Sequence, residues 1–120
     1  MEKKEFGYQR LIAWQKADML ASKVYEITMN FPKSEIYGLT SQLRRAALSV
    51  PTNIVEGFAK NNKKEFCRYL GISLGSLAEV EYLLGFAFKQ GFIKEKDYNA
   101  LVDLRQECGK YIWRLLQSQK

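Results

Sequence analysis

The sequence predicts an all-α protein, an antiparallel up-down-up-down four-helix bundle formed by a single domain, residues 1–120. Apolar residues recur at spacings of three and four in four successive segments, which is the pattern of amphipathic helices. The connections between these segments are short, and short connections favour antiparallel neighbours. With 120 residues and 47% hydrophobic composition, the chain is long enough to bury a core.

The first helix is predicted after a polar lead-in, residues 1–9. It runs from about residue 10 to residue 30 and ends at Phe31-Pro32, because the residue before a proline avoids the α-helical region. Its apolar positions step by four and three, as in the seam of a bundle. They are Ala13, Ala17, Leu20, Val24, Ile27 and Phe31.

The second helix, about residues 39–60, contains a proline near its centre. Pro51 lacks a backbone donor and crowds the carbonyl four residues earlier, so we expect the helix to be kinked there. The apolar face of this helix consists of Leu39, Leu43, Ala46, Ala47, Val50, Ile54 and Phe58.

A polar strip lies beside this apolar face and consists of Gln42, Ser49, Asn53 and Glu56. Short amides and hydroxyls are uncommon on a solvated helix face, where Glu and Lys are better helix formers. Two interpretations stay open. The strip fills a boundary between helices or satisfies carbonyls freed by Pro51, or it forms a contact surface for a partner.

The third helix, about residues 63–90, is apolar nearly all round. Asn62 and Glu65 predict a capping box at its start, and Gly91 with Phe92 predicts a left-handed cap at its end. A helix that is apolar nearly all round buries more than one face, so we expect its second apolar sector to be an oligomer interface. The residues of that sector are Tyr69, Ile72, Leu83 and Phe86.

The fourth helix covers about residues 94–117 and completes the bundle. On the third helix, Glu81 falls among leucines, where a carboxylate needs a charged partner or takes up a proton. Arg44, at the flank of the second helix, is the candidate partner, and together they form a predicted buried ion pair. The alternative is that Glu81 lies beside the seam, half solvated.

The residue types present exclude most chemistries. The chain has no histidine, which removes the commonest general base and the commonest metal ligand. It also has no phosphate-binding loop, dinucleotide-binding glycine motif or Cys-x-x-Cys pair. We therefore predict that the protein is not an enzyme, with no catalytic residues, metal, cofactor or small-molecule substrate.

Location is predicted from hydropathy and cysteine use. No apolar run approaches the roughly 18 residues that span a bilayer, and no signal peptide is expected at the start. Cys67 and Cys108 are few and far apart, as is typical of reduced, buried thiols. The sequence thus predicts a cytoplasmic protein without a membrane partner.

The net charge is +6, from 19 basic and 13 acidic residues, and this favours a polyanionic partner. The excess is spread along the chain without a basic block, and a modest excess also serves solubility alone. The candidate nucleic-acid-binding residues are Arg45, Lys60, Lys63, Lys64, Arg68, Arg105, Lys110 and Arg114.

Three segments, taken together, resemble a known family. They are Tyr37-Gly38-Leu39-Thr40-Ser41-Gln42-Leu43-Arg44-Arg45-Ala46-Ala47 continuing through Ser49-Val50-Pro51-Thr52-Asn53-Ile54-Val55-Glu56-Gly57, Trp14-Gln15-Lys16-Ala17, and Gly75-Ser76-Leu77-Ala78-Glu79-Val80-Glu81. Over nearly its whole length the chain resembles the four-helix-bundle proteins encoded in intervening sequences of bacterial 23S ribosomal RNA genes. That family is also labelled S23 ribosomal protein. The resemblance implies the bundle fold and a link to ribosomal RNA genes.

A related family, the accessory proteins of diversity-generating retroelements, forms basic rings of five such bundles that bind nucleic acid. The resemblance therefore implies a homopentamer. Two functions are open: a non-catalytic cationic oligomer that binds structured RNA or another nucleic acid, including DNA, and a protein-interaction scaffold without nucleic-acid binding. Salt-sensitive binding to RNA favours the first, and a co-purifying protein partner favours the second.

Overall fold

The computed structural model describes residues 7–120, which fold into four α-helices and two short 3-10 turns. The helices are α1 (Ile12–Thr28), α2 (Leu39–Ala59), α3 (Lys63–Lys89) and α4 (Glu95–Ser118). No strand occurs in this part of the chain, so the predicted all-α class with four helices is confirmed. Of the predicted polar lead-in, residues 1–6 lie outside the described residues, and the rest falls in a 3-10 turn, Gly7–Arg10.

Turn chemistry determines where α3 begins and ends. The Asn62 side chain accepts a hydrogen bond from the Glu65 amide at 3.0 Å and so caps the first turn. At the other end Gly91 adopts a φ of 82°, and the Phe92 amide donates to the Ala87 carbonyl at 3.0 Å. This left-handed glycine cap closes the helix and turns the chain toward α4.

Each helix packs against its neighbours in the chain, and α4 returns to pack against α1. The described parts of the diagonal pairs, α1 with α3 and α2 with α4, do not come within 8 Å of each other between Cα atoms. The core therefore lies between all four helices. Its large side chains that are at most 1% exposed include Leu20, Leu43, Ile54, Leu70, Leu77, Leu84 and Ile112.

The most extensive helix contact joins α2 to α3. Pro51 is buried inside α2, which continues as one helix on both sides of it. Next to the proline, the buried Ser73 hydroxyl donates to the Val50 carbonyl at 2.6 Å. This bond ties α3 to the α2 backbone where the proline removes one donor. A kink at Pro51 stays a prediction.

Gly57 allows α2 and α3 to approach closely. A Cβ atom at this buried position would lie 2.6 Å from Tyr69 Cβ, well inside van der Waals contact. At Gly71 of α3, by contrast, an added Cβ would meet no atom of the described residues within 4 Å. Packing therefore requires a glycine at position 57 but not at position 71.

Gly57→Ala is expected to destabilise the protein by about 1–3 kcal/mol, because overpacking outweighs the gain in helix propensity. Gly71→Ala, the matched control, is expected to stabilise it by up to about 1 kcal/mol, since alanine suits an exposed helix better. Urea unfolding at one fixed protein concentration measures both differences in the free energy of unfolding. Equal effects of the two substitutions would contradict the close approach.

Candidate nucleic-acid interface

The positive charge is concentrated in one half of the bundle. This basic half consists of the first halves of α1 and α3 and the second halves of α2 and α4, residues 7–20, 49–76 and 107–120. It contains nine basic and four acidic residues, a net charge of +5. The rest of the described chain contains eight basic and seven acidic residues, a net charge of +1. A charge that is evenly spread along the sequence is thus uneven in space.

Contacts between helices bring these segments together. The rings of Phe58 in α2 and Phe66 in α3 have centroids 6.1 Å apart. Between α1 and α4, Lys16 Nζ lies 2.7 Å from Glu107 Oε1. The two pairs are joined at Gly7, just before α1, where an added Cβ atom would lie 3.0 Å from the Phe58 ring. The start of α1, the end of α2, the start of α3 and the end of α4 therefore belong to the same half of the bundle.

Four of the candidate cations cluster where α2 passes into α3, and all four are exposed: Lys60, Lys63, Lys64 and Arg68. Two of them contact the half-buried Tyr69 ring, whose centroid is 4.6 Å from Arg68 Cζ and 5.9 Å from Lys60 Nζ. These cation–π contacts restrain the two charged groups near the end of the bundle. The partial positive charge of the α3 N-terminus is offset by the partial negative charge of the α2 C-terminus beside it, so the positive potential here comes from the side chains.

One acidic residue lies within this cluster. Arg68 Nε is 2.8 Å from Glu65 Oε2, and the hydrogen bond lowers the pKa of the Glu65 carboxyl and raises the pKa of Arg68. Arg68 is therefore partly neutralised. Lys60, Lys63 and Lys64 form no ion pair with any residue in the described range 7–120, so their charges are available to a ligand.

The candidate cations of α4 differ in their surroundings. Lys110 and Arg114 are exposed, with Lys110 Nζ 5.6 Å and Arg114 Cζ 5.9 Å from the centroid of the Tyr111 ring. Arg105 has only 22% of its side chain exposed, and its Nη2 lies 3.1 Å from Glu81 Oε2. Arg105 is thus engaged within the bundle and is the weakest of the candidates for a phosphate contact.

Arg45, like Arg105, lies in the less basic half of the bundle. It lines a groove between α2 and α3 with a volume of about 640 Å³. The groove is also lined by Glu79 and by the exposed Tyr37. Because Arg45 shares the groove with a carboxylate, this surface is mixed in charge and is less suited to a polyanion than the basic half.

The polar strip of α2 divides into two parts. Ser49 Oγ is 2.8 Å from Ser76 Oγ of α3, and the Asn53 amide donates to the Ser49 carbonyl at 2.8 Å. Ser49 therefore fills the boundary between α2 and α3, one of the two predicted roles, and Asn53 supports it from within α2 by also donating to Ser49 Oγ at 2.9 Å. Gln42 lines the groove and Glu56 is exposed, so for these two the role of a partner contact stays open.

The predicted buried ion pair between Glu81 and Arg44 is wrong. The Glu81 side chain is 61% exposed and pairs with Arg105 of α4. Arg44 Nε instead donates to Thr28 Oγ1 at 2.8 Å, and its guanidinium lies 4.9 Å from the centroid of the Tyr25 ring. The physical reason is direction: Glu81 faces α4, whereas Arg44 faces α1, so the two side chains point to different neighbours.

The predicted oligomer interface on α3 is exposed only in part. Leu83 is 4% exposed and belongs to the core, which corrects its assignment to a surface, because α2 and α4 together cover a wide arc of α3. Tyr69 is half-buried against Gly57. Ile72 and Phe86 are each 41% exposed and remain candidates for a contact with another copy.

The structure gives no indication that either cysteine is reactive. Cys67 and Cys108 are both free thiols. Burial raises the pKa of Cys108 to about 12, so this thiol is neutral at physiological pH and is a poor nucleophile. Within residues 7–120 there is no group of three or more histidine, cysteine, aspartate or glutamate side chains that could hold a metal ion.

The fold and the site define the class of protein as a four-helix bundle with one basic half. The family described as 23S rRNA-intervening sequence protein matches residues 9–114, and the chain belongs to this family. The resemblance seen in the sequence is thereby confirmed.

A solved structure with the same fold comes from Bacteroides thetaiotaomicron VPI-5482, a protein of unknown function from the S23 ribosomal protein family at 1.70 Å resolution. It is 20% identical, and the match covers 88% of this chain and 98% of that one with a TM-score of 0.78. The similarity shows a shared fold. A comparison with curated proteins gave no match.

The aromatic residues of α4 that lie among its cations were not predicted as part of the site. Tyr111 contacts Lys110 and Arg114, and Trp113 is 56% exposed. A signal was present, because Lys110 and Trp113 are three residues apart and so share one side of the helix.

Glu81→Gln is expected to change the free energy of unfolding by less than about 1 kcal/mol, because the carboxylate of this ion pair is exposed. Leu84→Ala is the reference for a truly buried α3 position and is expected to cost about 2–5 kcal/mol. Urea unfolding of both variants makes the comparison. A loss of several kcal/mol in Glu81→Gln would show that the carboxylate has a structural role despite its exposure.

Proposed function

We propose that this protein is a non-catalytic, homo-oligomeric protein of the cytoplasm that binds structured RNA or another nucleic acid through its phosphates. The observation that carries the proposal is the charge of the basic half, net +5 out of a total of +6. Phosphate contacts provide most of the affinity in such binding without reading the base sequence.

We infer an antiparallel up-down-up-down arrangement from residue pairs that touch across helices. Residue numbers rise along α3 as they fall along α2, with Tyr69 against Gly57 and Ser76 against Ser49. The same holds from α3 to α4, where Phe88 stacks on Tyr98 and Leu77 meets Arg105. This arrangement supports the proposal because it gathers cations from distant parts of the sequence.

The lysines at the α2–α3 turn are the primary phosphate contacts in this proposal. Lys60, Lys63 and Lys64 are exposed and form no ion pair within the described residues. Neutralising a phosphate therefore does not require them to break an ion pair. Arg68 is secondary because Glu65 already holds it.

Self-association through α3 is the second part of the proposal. Contrary to the expectation from the sequence, α3 contains an 18-residue stretch that is long and apolar enough to cross a membrane, with a mean hydropathy of 1.3, and only 39% of that stretch is buried. Its exposed side includes Ile72, Tyr82 and Phe86. A second copy of the chain would cover this apolar side, and the family resemblance implies a ring of five.

A protein-interaction scaffold is the second candidate function. The mixed groove between α2 and α3 favours it, because Tyr37 is 96% exposed beside polar groups of both charges. Aromatic and arginine side chains are the residues enriched where proteins bind proteins. A protein that ignores RNA and retains a protein partner would support this candidate.

The salt dependence of RNA binding tests the proposed surface. Replacing Lys60, Lys63 and Lys64 together with Gln is expected to weaken binding to an RNA hairpin. A plot of log affinity against log salt has a negative slope, because each neutralised phosphate releases counterions. In the variant this slope should become shallower by up to about 0.9 for each phosphate contact that is lost. Fluorescence anisotropy over a salt series measures both quantities.

The matched control removes the same number of charges from the less basic half, with Lys89, Lys94 and Lys96 replaced by Gln. All three are exposed, and this variant should keep the wild-type slope. An equal fall in both variants would show that net charge matters but its position does not. Absence of binding to RNA and DNA at low salt would refute the proposed function.

Sedimentation tests self-association. The wild-type protein is expected to sediment as an oligomer of the 13.9 kDa chain at micromolar concentration. Phe86→Glu should dissociate it, because a carboxylate would be buried in an apolar contact. Leu48→Glu, at a 48% exposed position of α2, adds the same charge elsewhere and should leave the oligomer intact. A monomeric wild type would contradict this part of the proposal.

A further inference from the structure

The outward face of the second half of α4 combines an exposed indole with amides and a cation. Four residues form this face, which we call the α4 stripe. At 100° per residue they lie within roughly 60° of the helix circumference, and they extend over about 16 Å along the helix axis. They are Gln106, Lys110, Trp113 and Gln117, and all four are exposed.

Trp113 is the unusual member of the α4 stripe. Its side chain is 56% exposed, and no aromatic ring or cation among residues 7–120 stacks on it. The other tryptophan, Trp14, is half-buried and makes an edge contact with Tyr8 at 5.0 Å between ring centroids. An unoccupied indole face beside cations is the arrangement that proteins use to stack the bases of single strands.

The charges around Trp113 select the ligand. From residue 108 to residue 120 the chain has three basic residues and no acidic residue. Lys110 lies one turn before Trp113, and Arg114 is adjacent to it. Gln117, one turn after Trp113, offers an amide that can donate and accept hydrogen bonds at a base edge. The surroundings thus match a phosphate backbone with an unstacked base.

We propose that the α4 stripe is a base-stacking site for single-stranded nucleic acid, in which Trp113 stacks on a base while Lys110 and Arg114 contact the flanking phosphates. This rests on the proposed function and adds the form of its ligand. Bases inside a duplex are already stacked and cannot reach the indole, so the ligand is a single strand or an unpaired loop of structured RNA.

A second copy of the chain is a poorer match for the α4 stripe. In a ring of five each contact is heterologous, so a different surface of the next copy would have to cover the α4 stripe and supply carboxylates for Lys110 and Arg114. Cations that are buried at an interface without such partners oppose association. Between Ile72 and Phe86, by contrast, α3 has no basic residue, so this apolar stretch is the better surface for self-association and leaves the α4 stripe for the polyanion.

The test compares a twelve-nucleotide oligoadenylate with a twelve-base-pair RNA duplex. Trp113→Ala is expected to weaken binding of the oligoadenylate by roughly 5- to 150-fold, the range found when one stacking aromatic is removed. Affinity for the duplex should change by less than about two-fold, since the phosphate contacts remain. Trp113→Phe keeps a ring and should retain most of the single-strand affinity.

Fluorescence supplies an independent readout. Oligoadenylate should quench the wild-type emission, and the Trp113→Phe variant, which emits only from Trp14, should show little quenching. Circular dichroism of each variant confirms that the bundle is folded.

Three results would overturn the stacking site. If wild type binds RNA but Trp113→Ala binds the oligoadenylate as tightly, the α4 stripe is not a stacking site, while the phosphate surface stands. If Trp113→Ala dissociates the oligomer in sedimentation, the indole belongs to a protein interface. If neither probe binds at low salt, the proposed function fails as well, which the lysine variants would show independently.

Discussion

The close packing of α2 against α3 is the contact on which the other features of the molecule depend. It requires a glycine at position 57, where Tyr69 occupies the space of a side chain, and it includes the bond from Ser73 to the Val50 carbonyl. Because Tyr69 is held in this contact, the cations that lie on its ring, Lys60 and Arg68, are placed as well. The packing of Tyr69 against Gly57 thus helps to fix the positions of two surface cations.

The helices could be read from the sequence because their signals are local. Predicted spans of 39–60 and 63–90 compare with Leu39–Ala59 and Lys63–Lys89, and the cap residues that bound α3, Asn62 and Gly91, act within one turn. The ion pair could not be read in this way. Whether Glu81 meets an arginine of α2 or of α4 depends on how α3 is rotated about its own axis relative to these two helices. A helical wheel drawn for α3 alone gives no information about that rotation.

The candidate site was predictable as a set of residues but not as a surface. Each cation could be named from the sequence, whereas their concentration depends on which helix halves lie side by side. Ion pairing was equally hidden: Arg68 and Arg105 are held by Glu65 and Glu81, while the lysines of the α2–α3 turn are not paired within the described residues. Trp113 was missed because what distinguishes it is its exposure to solvent, and the sequence alone does not show whether a tryptophan is exposed or buried.

The uneven distribution of charge has a consequence for how the molecule meets a partner. Charges of +5 and +1 in the two halves give the bundle a permanent electric dipole. In the field of a polyanion such a molecule rotates as it diffuses, so that encounters occur with the basic half leading. Fewer collisions are then lost to wrong orientations, and the advantage is greatest at low ionic strength, where the Debye length of about 10 Å at 0.1 M salt becomes longer.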